Sequence, residues 1–449
     1  MTTGLVKIRY LLCAIAVVVA GCSSAAQSLP KMPGNSPPAS GAGKISHVVF
    51  IVQENRSFDN LFQGYPGADT ASSGTISTGK RVKLAPVSIA TRYVIDHSAT
   101  AMFAACNGTG SVPGTNCRMD GFDKEQAYFW PPSIPYAQYV YVPHNDSRPY
   151  FDMAHEGVVA DRMFQSHLDE SFVAHQYIIA AQAAGSVDLP TSAWGCGGGP
   201  SDVVGTLTLK RGPGKPQSPC FDYQTLGDEL DNADLSWRFY TSKYGSPSSG
   251  SGSYWSSYQA VKHIYMGPDW KKNIITPQKH FLLDVPAGKL ANFTWITPLC
   301  DDSDHVNCGG GYGPSWVAAL VNTVGRSKFW NSTAIFVVWD DWGGLYDHVP
   351  PPYTDYDGLG FRVPLIVVSP YAKQNYVSHV QYETASVLRF AEDLFGLDQL
   401  AAADKRAASP AADCFDFSQK PRKFVPIKAP YGRRFFLRQK NDYRAPDYE

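Results

Sequence analysis

Apolar residues along this chain fall mostly into short unbroken runs. Four of them, 47–52, 293–297, 333–339 and 363–369, are rich in β-branched residues and lead directly into polar ones. Such runs predict strands buried on both faces. Between them, 150–164, 171–184, 316–324 and 382–395 have the length and spacing of helices. Strands alternating with helices predict an α/β fold, with a mostly parallel central sheet flanked by helices and long loop insertions. In such a fold the active site lies beyond the carboxyl ends of the strands. Two stretches break the pattern: 128–151 is dense in Tyr, Phe, Trp and Pro, and 244–258 in Ser, Gly and Tyr. Aromatic loops without periodicity either wall a substrate cleft or pack against the domain.

The N-terminus adds a compartment. Lys7 and Arg9 precede an apolar run over 10–20 that meets Val19-Ala20-Gly21-Cys22. Residues 1–22 therefore read as a signal peptide ending in a lipobox, with Cys22 acylated after cleavage; ordinary signal cleavage is the alternative. Residues 23–44, rich in Ser, Ala, Pro and Gly, read as a flexible tether. The remainder, 45–449, is expected to be one catalytic domain with insertions near 126–151 and 185–270 and a tail from about 400. This organisation predicts export to the periplasm or cell envelope and a membrane link through a lipid on Cys22. A formal net charge of −1 gives no basic footprint for nucleic acid and no strong attraction to anionic lipid. Nine cysteines suit an oxidising compartment. With the export signal set aside, the close pairs Cys106 with Cys117, Cys196 with Cys220 and Cys300 with Cys308 are the expected disulfides, leaving Cys414 over.

Candidate chemistry sits at two strand ends. The first strand runs into Glu54-Asn55-Arg56-Ser57-Phe58-Asp59, and the third into Asp340-Asp341, a Gly343-Gly344 turn, then Asp347-His348. Hard oxygen donors of this kind suit a divalent cation. Gathered carboxylates repel, so a cation or basic residues are expected between them; charged turns and salt bridges are the plainer account. Residues 74–80 imitate the start of a phosphate-binding loop, but Arg81 stands where Ser or Thr is required and no apolar strand precedes it. There is no G-x-S-x-G elbow and no C-x-P-x-R run.

An ordered set of motifs then gives a resemblance. H-V-V-F-I-V-Q-E-N-R-S-F-D-N-L-F-Q-G-Y-P-G opens the set, with D-H-S at 96–98, M-D-G-F at 119–122 and A-D-R-M-F-Q-S at 160–166. W-D-D-W-G-G-L-Y-D-H-V-P-P-P at 339–352, G-F-R-V-P-L-I-V-V-S-P at 360–370 and Y-E-T-A-S-V-L-R-F at 382–390 complete it. The sequence resembles the bacterial phosphoesterase family of phosphatidylcholine-type phospholipases C and periplasmic acid phosphatases, relatives of alkaline phosphatase in fold. The resemblance implies one divalent metal ion held by Glu54, Asn55, Asp340 and Asp341, with Ser171 as metal-activated nucleophile. It also implies His97, His305 and His348 as groups that contact the phosphoryl group or protonate the leaving oxygen, His348 with the alternative role of orienting the carboxylates. The run Ser171-Phe-Val-Ala-His-Gln-Tyr177 resembles the family's T-x-P-N-R-L-Y but departs at Val173, Ala174 and His175, and Asp341 stands where Glu is common. As a helix N-cap, Ser171 would have a purely structural role, for which Asp169 competes.

The expected activity is hydrolysis of phosphate esters through a phosphoserine. The family's phospholipases carry further C-terminal β domains, whereas this sequence ends soon after the last motif, which favours phosphomonoesters. Phospholipase C action on a membrane phosphodiester is the alternative. A silent surface lipoprotein that binds phosphorylated ligands is a third.

Overall fold

A run in which every residue from Val48 to Gln53 is buried needs hydrogen-bonding neighbours on both edges. The computed structural model describes Met1 and residues 41–129, 131, 133–242 and 255–441, and supplies those neighbours. In chain order, the strands of the central sheet are β1 (His47–Gln53), β2 (Val158–Ala160), β3 (Trp237–Tyr240), β4 (Ile274–Ile275), β5 (Phe293–Ile296), β6 (Thr333–Trp339), β7 (Leu365–Val368) and β8 (Tyr376–Ser378). Their spatial order is β4-β3-β5-β1-β6-β7-β2-β8, and only β7 runs antiparallel to its neighbours. Central β1 pairs in parallel with β5 through Val48 opposite Phe293, and with β6 from His47 opposite Thr333 to Gln53 opposite Trp339.

Helices α1 (Phe58–Phe62), α2 (Ala99–Cys106), α3 (His144–Glu156), α4 (Ser171–Ala180), α5 (Gly313–Gly325) and α6 (Ser386–Phe395) matter most for the site. Side chains alternate faces along a strand, so Phe336 and Trp339 of β6 point opposite ways. Phe336 meets Phe390 of α6 at 4.9 Å and Trp339 meets Tyr150 of α3 at 4.8 Å, which covers the sheet on both sides. The fold is thus α/β with a mostly parallel sheet between helices.

Two of the expected helices contain a strand. The 150–164 stretch divides: α3 ends at Glu156, and the chain continues as β2 and a short strand Met163–Phe164. Gly157 makes the switch, since a Cβ there would lie 2.1 Å from the Val367 carbonyl oxygen. Likewise Tyr382–Glu383 is a strand and α6 begins only at Ser386. All three expected disulfides form, and Cys414 is a buried thiol whose pKa burial pushes up to about 12. The signal peptide, lipobox, the tether up to residue 40 and most of the 244–258 stretch lie outside the described residues. No described helix is long and apolar enough to cross a membrane.

Candidate active site

The full register between β1 and β6 brings Glu54-Asn55 and Asp340-Asp341 out side by side at the carboxyl edge. Asn55 takes a left-handed backbone (φ 54°), a conformation Asn tolerates better than most residues. Its N–H thereby donates to Asp340 Oδ1 at 2.9 Å. Its side-chain Nδ2 donates to Asp341 Oδ2 at 3.0 Å. The turn after Asp341 passes so close that a Cβ on Gly343, itself at φ 61°, would stand 2.4 Å from the Asn55 carbonyl oxygen. Gly343 N in turn donates to Asp341 Oδ1 at 2.8 Å and fixes that carboxylate.

Ser171 is the first residue of α4, with Glu170 in the cap position. Its Oγ donates to Asp341 Oδ2 at 3.3 Å and receives Asn55 Nδ2 at 3.4 Å. The hydroxyl therefore faces the strand ends instead of capping the helix, and the shorter arm of Asp341 still reaches it. One helical turn on, on the same face, His175 Nε2 lies 3.1 Å from Glu54 Oε1 and 3.7 Å from Asp340 Oδ2. In the sequence His175 stands only as a departure from a family Arg. Its i+4 spacing from Ser171 was the signal that it belongs here.

Two of the three expected histidines join this group. His97 contacts the Ile95 carbonyl oxygen through Nδ1 at 2.9 Å, so Nδ1 carries the proton. Its Nε2 lies 2.8 Å from Asn55 Nδ2 and 3.7 Å from Asp341 Oδ2. The His305 ring centres 6.2 Å from that of His97. His305 Nδ1 accepts from Asn307 N at 3.0 Å, which leaves the ring proton on Nε2. The His305 loop is clasped three ways: by the Cys300–Cys308 disulfide, by Gln53 (Nε2 to Asp302 O, Oε1 from Asp304 N, both 3.0 Å), and by buried Arg56 on the Asp304 carbonyl at 2.8 Å. Asp304 itself is wholly buried, which raises its carboxyl to about 6 against the pull of Arg56 and the hydrogen bonds from Tyr150 and Trp339.

His348 stands in a different set of contacts. Its Nδ1 meets Asp59 Oδ2 at 2.6 Å and its Nε2 meets Asp69 Oδ1 at 3.0 Å. Burial alone would lower its pKa, but the Asp59 hydrogen bond and charge outweigh that and raise it. Arg362 completes this cluster through Asp347 (Nε to Oδ1, 2.8 Å; Nη2 to Oδ2, 3.0 Å). The cluster ties together the loops that follow Glu54-Asn55 and Asp340-Asp341.

The donor set suits a cation. Glu54, His175 and Asp340 each offer a buried ligand atom within 4.8 Å of the others. Asn55 Oδ1 and Asp340 Oδ2 are buried and accept no hydrogen bond among the described residues, which is costly for such groups unless a cation or water meets them. Glu54, Asp340 and His175, with Asn55 Oδ1, thus form a donor group that could hold a divalent metal ion, while Asp341 and Ser171 adjoin it through hydrogen bonds to Asn55.

A cleft of about 1120 Å³ opens beside residues adjacent in sequence to this group. Its lining includes sequence neighbours of the reactive residues: Glu170 beside Ser171, Asp96 beside His97, and Asn307 near His305. Tyr128 and Phe129 form one wall, the latter 88% exposed, with Trp194, Asp188 and Arg92 also at the cleft. The 128–151 stretch thus lines a cleft with Tyr128 and Phe129 and packs Tyr139 and Tyr150 into the interior. Behind Asp188, whose N–H donates to it at 2.8 Å, buried Asp169 is held far above the usual carboxylate range, by burial first and then by the charge of Asp188.

The Phosphoesterase family profile matches residues 45–398. Non-hemolytic phospholipase C of Burkholderia pseudomallei is 23% identical over 406 residues, covering 78% of this chain and 55% of that one. Phospholipase C B of Mycobacterium tuberculosis is 25% identical over 491 residues, 94% of this chain and 88% of its own. Non-specific phospholipase C1 of Arabidopsis thaliana is 24% identical, covering 86% of this chain and 74% of that one. Among solved structures, a protein in the alkaline phosphatase superfamily from Vibrio parahaemolyticus aligns over 81% of this chain and 69% of its own, with a TM-score of 0.36 at 11% identity. Phosphonate monoester hydrolase from Silicibacter pomeroyi aligns over 61% of this chain and 73% of its own, at a TM-score of 0.33 and 11% identity. Likenesses of that size add nothing to the sheet order itself.

Proposed function

We propose a function from the premise that the chain belongs to the Phosphoesterase family, a class of hydrolases acting on phosphoric ester bonds: it cleaves phospholipid phosphodiesters in the manner of a phospholipase C, with Ser171 as nucleophile. One observation carries the reading. The Ser171 hydroxyl, at a helix N-terminus, is turned onto Asp341 and Asn55 among buried oxygen donors, and the preceding residue, Glu170, lines a cleft of about 1120 Å³. The relatives support phospholipase C action better than the phosphomonoesterase expected from the sequence. A family of hydrolases together with this constellation speaks against a silent binding protein.

Ser171 Oγ attacks phosphorus as Asp341 Oδ2, 3.3 Å away, takes up its proton. His97, whose Nδ1–H is donated to a backbone carbonyl, acts as the acid once Nε2 has taken up a proton from solvent; that proton passes to the leaving oxygen, and the neutral Nε2 is then the base for the water that frees Ser171 as Asp341 returns its proton to Oγ. A ring whose Nδ1 already accepts an N–H cannot be the acid, so His305 offers its Nε2–H as a fixed donor to a phosphoryl oxygen. The first N–H groups of α4 add partial positive charge beside Ser171. A divalent cation on Glu54, Asn55, Asp340 and Asp341 would lower the serine pKa and neutralise phosphoryl charge.

The cleft supports a cationic head group. Tyr128, Phe129 and Trp194 offer ring faces and edges, and Asp96, Glu170 and Asp188 offer carboxyl groups. Three disulfides assign an oxidising compartment. Export through residues 1–22 with a lipid on Cys22 belongs to the same reading, and mass spectrometry of the mature N-terminus decides it. The activity is tested on p-nitrophenylphosphorylcholine and p-nitrophenyl phosphate, each with and without chelator. Metal-dependent turnover mainly of the first is expected; turnover of the monoester alone would return the acid-phosphatase reading.

A further inference from the structure

The formal charge of −1 conceals a sharp local imbalance. Residues 417–441 hold eight Lys and Arg and no Asp or Glu, which leaves 31 of the chain's 39 Lys and Arg against all 40 Asp and Glu elsewhere. Arg422 turns inward onto the carbonyls of Glu156, Ser369 and Ala372. The other seven are exposed. This segment is no loose tail. Ile427 exchanges two hydrogen bonds with the Asn322 side chain (2.8 and 2.9 Å), Arg433 Nε donates to Leu282 O at 2.9 Å, and Phe436 meets Trp316 at 5.2 Å.

Where the segment crosses the loops ahead of β5 and β6, a cleft of about 1170 Å³ opens. Arg326, Lys328, Lys428 and Arg433 stand around it and no carboxylate lines it. None of these four, nor any of the other exposed cations of the segment, makes an ion pair with a carboxylate among the described residues. An ordinary soluble surface intersperses both signs. Exposed Val425 and Tyr431, about 50% and 39% accessible, line the same cleft.

We infer that this basic cleft docks the protein on anionic phospholipid, the cations receiving head-group phosphates while Val425 and Tyr431 enter the interface. Clustered Lys and Arg are attracted to an anionic leaflet, and Tyr settles at the level of the head groups. Exposed apolar side chains among the cations favour a lipid surface over nucleic acid, as does a chain cross-linked by disulfides. The surface lies at the amino ends of β5 and β6, whereas the candidate active site lies at the carboxyl ends of β1 and β6. Docking thus leaves the active site uncovered and does not depend on the reaction assigned to it.

The test is co-sedimentation of the full chain, with Cys22→Ser so that no lipid anchor contributes and Ser171→Ala so that no lipid turns over. Vesicles of phosphatidylethanolamine alone are compared with vesicles that also contain phosphatidylglycerol. Binding to the anionic vesicles should be at least about tenfold stronger and should fall steeply with added salt. Arg326→Glu, Lys328→Glu and Lys428→Glu together should abolish that preference. In the chain that keeps Ser171, they should leave turnover of a soluble ester unchanged. Should the triple variant melt early, the salt series and Lys428→Glu alone decide the matter. Equal sedimentation of the chain with its basic cleft intact with both vesicles overturns the inference, as does undiminished binding of the variants, or capture by DNA without capture by anionic vesicles.

Discussion

Replacing Gly343 by Ala should separate the geometry of the site from the stability of the fold. A Cβ at this position would lie 2.4 Å from the Asn55 carbonyl oxygen and 2.9 Å from Asn55 Cβ, both below the 3.0 Å that real Cβ contacts respect. The backbone of one strand-end loop must therefore yield by at least roughly half an ångström. Ala at a φ of 61° adds about 1–2 kcal/mol of its own. Gly64, at φ 75° with nothing within 4 Å of the added Cβ, incurs that conformational cost without a clash. Gly64→Ala is the matched control. Asn55 carries hydrogen bonds to Asp340, Asp341 and Ser171, so a shift of its loop misplaces the nucleophile, and misplacements near 1 Å cost on the order of a hundredfold in rate. The assay is kcat on a chromogenic phosphodiester together with urea unfolding of both variants. Gly343→Ala should lose about ten- to a hundredfold in kcat, and Gly64→Ala should keep its rate while losing only the stability that the backbone conformation costs. Equal kcat in the two variants would refute the claim that the Asn55 turn sets the reactive geometry.

Glu54→Gln and Asp340→Asn should each lower bound divalent metal and activity together, read by elemental analysis and initial rates; full metal content with full activity would reduce these strand ends to charged turns. Tyr128→Ala with Phe129→Ala should raise KM for a phosphocholine diester several-fold and leave an uncharged diester unaffected, while an equal change for both would deny these rings a role in head-group selection. Burial holds the Asp304 carboxyl at about 6, above an unfolded value of ~3.9, so the native state keeps this proton longer and stability falls as pH rises from about 4 through about 6, by roughly 2–3 kcal/mol. Asp304→Asn should flatten urea stability across that window, and an unchanged pH slope would show that another group is responsible.

Much of the fold is legible in the sequence because strands buried on both faces must be apolar without interruption. β1 and β6 are such strands, and their ends carry the polar residues that meet in the site. Edge strands such as Ile274–Ile275 and Tyr376–Ser378 are too short to stand out, and the passage from α3 into β2 turns on the single Gly157. In the site, Glu54, Asn55, Asp340 and Asp341 could be paired by reasoning because parallel neighbours end together. His175 and the departure of His348 into the Asp59–Asp69 cluster depend on which way side chains leave their helix or loop, and spacing shows only half of that. The basic segment was hidden for a different reason, since whole-chain charge cancels where local charge does not.

The central claim is that Ser171 forms a covalent bond to phosphorus. Rapid quench of the full chain with labelled phosphodiester, followed by peptide mapping, measures this directly. The label should appear transiently on the Ser171 peptide within the first turnover, and Ser171→Ala should abolish both the label and nearly all of the rate, a loss of about a thousandfold or more. An ordinary helix cap would instead cost only ~1 kcal/mol of stability on the same substitution. An unlabelled peptide together with more than about a tenth of the rate in Ser171→Ala, a barrier change under ~1.4 kcal/mol, would contradict the account and leave direct attack by water in its place.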